Sequence, residues 1–255
     1  MKRLLKLEFR KIFMMKTLYI CLVIMVAMVL LTAITYLFMN KMMLSVMEDA
    51  PVIDANTFIR SALSGSSINI FLAVLIPIYL CSDYSNGTAK GIFAKGYSRT
   101  EVYFTKLIGA LFISVFFVLT AILFCVIFGV SMFERESVNG ETFKALFVQF
   151  MVLIAYSSIF CFLSTAFSKL SGAIICSILS TLVILLVFSL FDVIIEFAFK
   201  VENVNITDYW LDGIIMKMTQ TPLESKDVIK SVMVSLAYTV VFSVAGVFVC
   251  KRKEF

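Results

Sequence analysis

The chain has 255 residues, of which 61% are hydrophobic and 15% are charged, and it contains no histidine. Soluble domains carry roughly 25% charged residues, so a chain of this composition must be solvated mostly by lipid. The lack of histidine removes the commonest metal ligand and the commonest base at physiological pH, and the formal net charge of +5 becomes informative only through its distribution.

The first 17 residues have the pattern of a helix that lies in the membrane interface. Such a helix buries its apolar side at the acyl boundary and turns its basic side toward anionic headgroups. The two faces of this helix are Leu5, Phe9, Ile12 and Phe13 on the apolar side and Arg3, Lys6 and Arg10 on the basic side. A signal peptide is the alternative, but the following apolar run lacks a cleavage site and is about 20 residues long, the length of a span.

Six apolar runs follow, and each is long enough to cross a bilayer. The stretch 192–230 lies before the last of them and contains Tyr209 and Trp210, residue types that favour the membrane interface. We expect a short external helix there, with a simple loop as the alternative. The sequence therefore predicts a single all-α polytopic membrane domain over residues 1–255. We place its spans at residues 18–39, 58–81, 107–133, 145–167, 173–191 and 231–250.

The distribution of charge orients these spans. Six spans put both termini on one side of the membrane. The segments on that side hold 14 of the 22 Lys and Arg residues and four of the 17 Asp and Glu residues, for a net charge of +10, whereas the opposite side nets −5. Because Lys and Arg concentrate in cytoplasmic loops, the sequence predicts a plasma-membrane protein with both termini in the cytoplasm.

Residues 83–106 form the longest polar interruption in the first half of the chain. Asn86-Gly87 is a turn signal, and the segment from Thr88 to Lys95 has helical potential. Gly96 is suited to end that helix in a left-handed conformation. The run from Ser98 to Glu101 matches a capping box, which starts the helix of the third span several residues before the bilayer. We therefore predict a short cytoplasmic helix followed by a rigidly capped third span.

The apolar residues of this short helix are Ile92 and Phe93, and they lie beside Lys90 and Lys95. One interpretation is that Ile92 and Phe93 dock in a groove of a protein partner. The other is that the helix lies on the membrane and these two side chains dip into lipid. The residues alone support the two interpretations equally.

This segment resembles the membrane subunit of type-2 ATP-binding-cassette exporters. In that family an acidic residue and Gly-Thr precede a short coupling helix, Ser-Arg opens the third span, and a Lys follows near its start. Asp83 stands where the family usually has Glu, and Gly96-Tyr97 stands where many members have a Pro before Ser-Arg, which leaves the end of the coupling helix open. The matching residues here are Asp83, Gly87, Thr88, Ser98, Arg99 and Lys106.

The resemblance implies a permease that a separate ATPase drives. Two copies of this chain, or this chain and a paralogue, would form the pore, and two ATPase subunits would bind ATP and Mg²⁺ at the cytoplasmic face. The chain has no G-x-x-x-x-G-K-[ST] sequence of its own, so we expect it to bind no cofactor. The coupling surface implied by the resemblance consists of Asp83, Gly87, Thr88, Lys90, Gly91, Ile92, Phe93, Lys95, Ser98, Arg99, Glu101 and Lys106.

Small polar residues within the spans are candidates for the transport path. Such residues more often mediate helix packing, but the second and fifth spans line the central cavity in the family that the chain resembles. The candidates are Asn69 in the second span and Ser177, Ser180 and Thr181 in the fifth. Asp192 and Glu196, which end the fifth span, are interpreted as a hydrated rim because neither a histidine nor a metal-ligand cluster accompanies them.

The substrate class follows from the resemblance alone. The small size and the lack of a fused ATPase look most like bacterial permeases for amphipathic peptides, such as lantibiotic-immunity permeases and exporters of phenol-soluble modulins. The expected partners are thus an ATPase subunit, a second permease chain, membrane lipid and an amphipathic peptide, with no nucleic acid.

Two other classes of function are weighed against export. An intramembrane enzyme needs ionisable or nucleophilic residues near mid-bilayer, and we find no charged residue well inside any of the six predicted spans; we therefore expect no catalytic or metal site. A non-transporting scaffold or sensor that recruits a cytoplasmic partner fits the same topology and stays open as the alternative.

Overall fold

A computed structural model describes residues 2–46, 53–64, 67–85, 87–133, 138–167, 169–199, 206–219 and 225–252. Within these ranges the regular structure is entirely helical, and six helices are long and apolar enough to cross a membrane. The predicted all-α, multi-pass architecture is therefore confirmed. The helices are α1 (Lys2–Met14), α2 (Lys16–Val46), α3 (Ala55–Ser64), α4 (Ser67–Ser85), α5 (Thr88–Ala94), α6 (Arg99–Met132), α7 (Gly140–Ala166), α8 (Leu170–Phe199), a 3₁₀ turn (Ile206–Tyr209), α9 (Leu211–Lys217) and α10 (Ser225–Arg252).

The second and fourth spans form the centre of the bundle. About 71% of the most apolar window of α3–α4 and 67% of that of α7 are buried, against 11% for α8 and for α10. The peripheral helices instead turn long apolar faces outward, as expected of surfaces that lipid or another membrane chain covers. Some polar groups close to the centre pair with each other, for example the hydroxyls of Ser114 and Ser157, which lie 2.5 Å apart.

The two ends of the bundle differ in charge and in what they hold. One end carries α1, α5, the start of α6 and the end of α10, and we call it the basic end. There the guanidinium of Arg99 donates to the backbone oxygen of Lys251 at 3.0 Å, which joins the start of the third span to the end of the sixth. The opposite end, which we call the far end, carries α3, the 3₁₀ turn and α9.

Helix α1 packs on protein through a face that differs from the predicted apolar face. Leu4, Glu8 and Ile12 are buried against the bundle; only Ile12 belongs to the predicted apolar face, and Glu8 is accommodated because it accepts a hydrogen bond from Tyr79. On the predicted face, the ring of Phe9 lies 4.7 Å from that of Phe112 on α6, and Phe13 is half exposed. Of the remaining residues of the predicted faces, Leu5 is partly buried and Arg3, Lys6 and Arg10 are exposed.

Candidate functional site

Asp83 lies at the basic end where four helices meet. Its Oδ2 atom is 2.6 Å from the Nζ atom of Lys106 on α6, and its Oδ1 atom is 2.7 Å from the Nζ atom of Lys11 on α1. The hydroxyl of Thr88, the first residue of α5, lies 3.0 Å from the same Oδ1 atom and 3.1 Å from the Asp83 backbone oxygen. One carboxylate at the end of α4 thus holds α1, α5 and α6 together.

Burial gives these contacts their energetic weight. The side chain of Lys106 is 2% exposed and that of Asp83 is 10% exposed, whereas that of Lys11 is 28% exposed. An ammonium group buried this deeply requires a paired carboxylate, because an uncompensated charge away from water costs several kcal/mol. Of the contacts that Asp83 makes, the ion pair with Lys106 is therefore the most important for stability.

A second carboxylate, that of Glu8, balances the positive charge of the two lysines around Asp83. Glu8 on α1 is buried, and its Oε2 atom accepts a hydrogen bond of 2.7 Å from the hydroxyl of Tyr79. The ammonium of Lys11 donates to the Tyr79 backbone oxygen at 3.0 Å and lies 4.9 Å from the centre of its ring. Two carboxylates and two ammonium groups thus meet around one tyrosine. We call Glu8, Lys11, Tyr79, Asp83, Thr88 and Lys106 the Asp83 cluster.

A glycine lets α6 approach this cluster. A Cβ atom at Gly109 would lie 2.2 Å from the hydroxyl of Tyr79, and that hydroxyl is fixed by its bond to Glu8. We expect Gly109→Ala to lower the stability of the bundle by about 1–3 kcal/mol, the usual cost of overpacking. Thermal unfolding of the detergent-solubilised chain measures the change. Gly140→Ala is the matched control, since nothing lies within 4 Å of a Cβ atom there, and equal behaviour of the two variants would contradict the packing described.

The short helix α5 lies where the sequence predicted a helix, and its flanking glycines explain its bounds. Gly87 and Gly96 have φ angles of +69° and +83°, a region that residues with a Cβ atom rarely adopt. Gly91 and Lys95 are exposed, and Ile92 is partly exposed. Of the other predicted residues of this segment, Asn86 and the side chains of Lys90 and Phe93 lie outside what the structure describes.

The capping box that precedes the third span is present. The backbone nitrogen of Glu101 donates to the hydroxyl of Ser98 at 3.3 Å, and the carboxylate of Glu101 accepts from the backbone nitrogen of Ser98 at 3.2 Å. The two bonds satisfy the backbone N–H groups of Ser98 and Glu101, which would otherwise have to bond to water at the start of a helix. Helix α6 therefore begins as an ordered turn, with only four residues between it and the end of α5.

The predicted path residues lie on α4 and α8, two helices that pack against each other. Asn69 is buried and donates a hydrogen bond to Asp212 at the far end. In α8, the hydroxyls of Ser180 and Thr181 donate to the backbone of their own helix, while Ser177 is buried. Within the described ranges no hydrogen bond joins Asn69 to these three, and their place on a transport path stays a prediction.

Asp212 forms a second polar cluster that sequence reasoning missed. Its Oδ1 atom accepts from the amide of Asn69 on α4 at 2.9 Å, and its Oδ2 atom accepts from the indole of Trp210 at 3.1 Å and from the hydroxyl of Tyr156 on α7. Burial raises the pKa of Asp212, and these three hydrogen bonds oppose the rise. We call Asn69, Tyr156, Trp210 and Asp212 the Asp212 cluster.

Trp210 extends the contacts of this cluster to two further spans, α8 and α10. Its ring centre lies 5.6 Å from that of Phe188 on α8 and 5.7 Å from that of Tyr238 on α10. On α8, Asp192 accepts from the backbone nitrogens of Ile206 and Thr207, so this partly exposed carboxylate anchors the 3₁₀ turn. The side chain of Glu196, its predicted companion, lies outside the described residues. Helix α9 and the preceding Trp210 therefore contact four spans at the far end, and we call α9 the plug helix.

Comparison with known proteins places the chain in a family of unknown function. A family model described as "Protein of unknown function (DUF2705)" matches residues 48–255. The match covers more than half of the chain, so the chain belongs to this family. No curated protein matches it.

Proposed function

We propose that this member of a family of unknown function is the membrane-spanning permease of an ATP-binding-cassette exporter. A separate ATPase subunit would drive it, and its substrate would be an amphipathic molecule or peptide that leaves the cell. One observation carries the proposal: Thr88, at the start of the exposed helix α5, bonds the carboxylate that holds Lys11 and Lys106. A displacement of α5 is therefore transmitted to α1, α4 and α6 through Asp83.

The geometry of α6 extends this argument across the membrane. The helix has 34 residues, which at 1.5 Å per residue gives about 50 Å, enough to reach from one side of a bilayer to the other. Its first turn is fixed by the capping box of Ser98 and Glu101, and Lys106 ties its second turn to Asp83. A push at the basic end would thus move α6 as one body instead of unwinding its start.

The orientation and the partners complete the proposal. The excess of Lys and Arg at the basic end favours a cytoplasmic location for this end in the plasma membrane, which places α5 where a cytoplasmic ATPase can reach it. ATP and Mg²⁺ would bind in two copies of that subunit. The outward apolar faces of α2, α8 and α10 leave room for a second copy of this chain, or for a paralogue, to complete a pore.

The proposal is tested by what the chain purifies with. We expect the tagged full chain, extracted from its native membrane, to bring down an ATP-binding-cassette ATPase that mass spectrometry identifies. Ile92→Glu puts a charge on the partly exposed face of α5 and should reduce the amount of bound ATPase by about tenfold or more, since an apolar anchor at the centre of an interface contributes about 2 kcal/mol or more.

The control for this variant changes an apolar residue of the far end. Met216 on α9 is 54% exposed, so Met216→Glu adds the same charge away from the basic end and should leave the bound ATPase unchanged. If no ATPase accompanies the chain, the exporter proposal fails. If the ATPase binds but its hydrolysis never responds to the presence of this chain or to added amphipathic peptides, a scaffold fits better than a permease.

A further inference from the structure

The Asp212 cluster has an imbalance between hydrogen-bond acceptors and positive charge. Every described hydrogen-bond partner of the Asp212 carboxylate is a neutral donor, namely the amide of Asn69, the hydroxyl of Tyr156 and the indole of Trp210. Neutral donors solvate a buried carboxylate but do not neutralise it. A buried negative charge at this end of the bundle is therefore left without a cation among the residues described.

Three described cations of this end of the bundle contact groups other than Asp212. Lys217 lies 2.9 Å from Asp208 and 3.2 Å from Asp227. Its hydrogen bond to Asp208 raises the pKa of Lys217 despite partial burial, so Lys217 stays charged and shared between those two carboxylates. The ammonium of Lys230 lies 3.8 Å from the ring centre of Tyr209. At the same end, the guanidinium of Arg60 lies 3.6 Å from the carboxylate of Glu141.

A second, independent observation points to a missing donor. Asn69 is 3% exposed, and its Oδ1 atom has no hydrogen-bond partner among the described residues. This oxygen belongs to the same amide whose nitrogen bonds Asp212, so an unsatisfied acceptor lies beside an unneutralised carboxylate. Turning the amide over would bring two oxygens together, and the present assignment is therefore the favourable one. Leaving such an acceptor buried and unpaired costs about 1–3 kcal/mol.

We propose that Asp212, together with the Oδ1 atom of Asn69, is a binding site for an ammonium or guanidinium group of the transported molecule. A donor-rich cation between these oxygens supplies both missing interactions, the positive charge for Asp212 and the hydrogen bond for Asn69. The same cation competes with the Asn69 amide for the Asp212 Oδ1 atom, which loosens one of the bonds that hold α9 on α4.

This inference rests on the proposed function only for the direction in which the substrate passes the site. In an exporter, Asp212 lies at the end through which the substrate leaves, so a cationic group would meet this carboxylate late in its passage. Release of α9 from α4 by that group would couple the arrival of substrate to the opening of the plug. The site therefore selects substrates that combine an apolar body, which the bundle accommodates, with at least one basic group.

The chain contains its own reporter for this site. Trp210 is the single tryptophan of the sequence, and its indole nitrogen is 3.1 Å from the Asp212 carboxylate. Emission from the purified full chain in vesicles of zwitterionic lipid, which contain no other protein, thus reports on the cluster alone. We expect dodecylammonium and dodecylguanidinium to shift this emission to longer wavelength with saturation, as α9 loosens and the indole meets water. Dodecanol and dodecanoate, which have the same chain length, provide the neutral and anionic controls for partition into lipid.

Asp212→Asn removes the charge while keeping the size of the side chain. It should weaken the response to both cations by about tenfold or more, the value of a charge-assisted hydrogen bond. Its emission without ligand checks the fold, because the surrounding rings of Tyr156, Phe188 and Tyr238 remain. Asp212→Glu, which keeps the charge, should recover most of the response.

The unmodified chain offers a measurement that does not depend on a variant folding. Burial raises the pKa of Asp212, so lowering the pH through that value neutralises the carboxylate, and the affinity for both cations should fall in step. Equal shifts with dodecanoate, or an affinity that neither Asp212→Asn nor acid changes, would overturn the site. The assay contains no ATPase, so its failure leaves the exporter proposal standing, and a missing ATPase leaves this site standing.

Discussion

Asp83→Asn should lower the folding stability of the chain by about 3–5 kcal/mol, the cost of removing one partner from a buried ion pair. The substitution keeps the shape of the side chain and removes its charge, so Lys106, whose side chain is 2% exposed, loses its counterion inside the protein. Lys11 has the easier position, because its side chain is 28% exposed and water can solvate part of it.

Substitutions of the two lysines should follow the same order of burial. Lys106→Met removes the buried ammonium together with its need for a counterion and leaves Asp83 paired with Lys11, so we expect a smaller loss than for Asp83→Asn. Lys11→Met should cost least, about 1 kcal/mol or less, as for other partly solvated pairs. The double variant Asp83→Asn/Lys106→Met should be more stable than Asp83→Asn alone, because it no longer contains an unpaired buried charge.

The cysteines of the chain supply the measurement. Cys21, Cys81, Cys125, Cys161 and Cys250 are buried and form no disulfide in the described part of the chain, so a thiol-reactive dye that fluoresces on reaction reports unfolding in detergent as the temperature rises. Asp83→Glu, which restores the carboxylate at the expense of one extra methylene group, is the charge-retaining control and should recover most of the loss. A double variant less stable than Asp83→Asn would show that Lys106 does not depend on Asp83 for its charge.

What could be predicted from the sequence depended on how far apart the interacting residues are. The six spans follow from apolar runs, and the cap at Ser98 and the left-handed Gly96 depend on residues three or fewer positions away. Short-range patterns of this kind have direct physical causes in backbone geometry. The positions of these elements were therefore accessible before any tertiary contact was known.

The two clusters, in contrast, depend on contacts between distant residues. Asp83 meets Lys106 and Lys11 across 23 and 72 positions, and Asp212 meets Tyr156 and Asn69 across 56 and 143. A single Asp in an amphipathic stretch has no local signature, so Asp212 was overlooked although Trp210 beside it was noticed. Glu8 likewise entered only the count of acidic residues on the side that holds both termini, because helical periodicity shows which residues share a face but not which buried hydroxyl that face meets.

The connection between α5 and α6 should control coupling without controlling binding. Four residues, Lys95 to Ser98, separate the end of α5 from the start of α6, and the cap of Ser98 and Glu101 fixes the helix that follows. Inserting two glycines between Gly96 and Tyr97 leaves α5, the cap and the Asp83 cluster unchanged in sequence, but it lets α5 move without carrying α6 directly. We expect the ATPase to remain bound and substrate-stimulated ATP hydrolysis to fall by about tenfold, within the usual range of coupling between sites.

Tyr97→Gly is the matched control for this insertion, because it adds a flexible residue at the same place without adding length. It should keep most of the coupling if the distance between α5 and the cap is what transmits force. The Thr88–Asp83 bond offers a second route from α5 to α6 through Lys106, so the insertion combined with Thr88→Val should remove the stimulation that the insertion alone leaves. The coupling role of α5 would be contradicted if the insertion variant exported at the normal rate and Thr88→Val also left export unchanged. In that case α5 would serve only to bind the ATPase, and the movement would enter the membrane through another element.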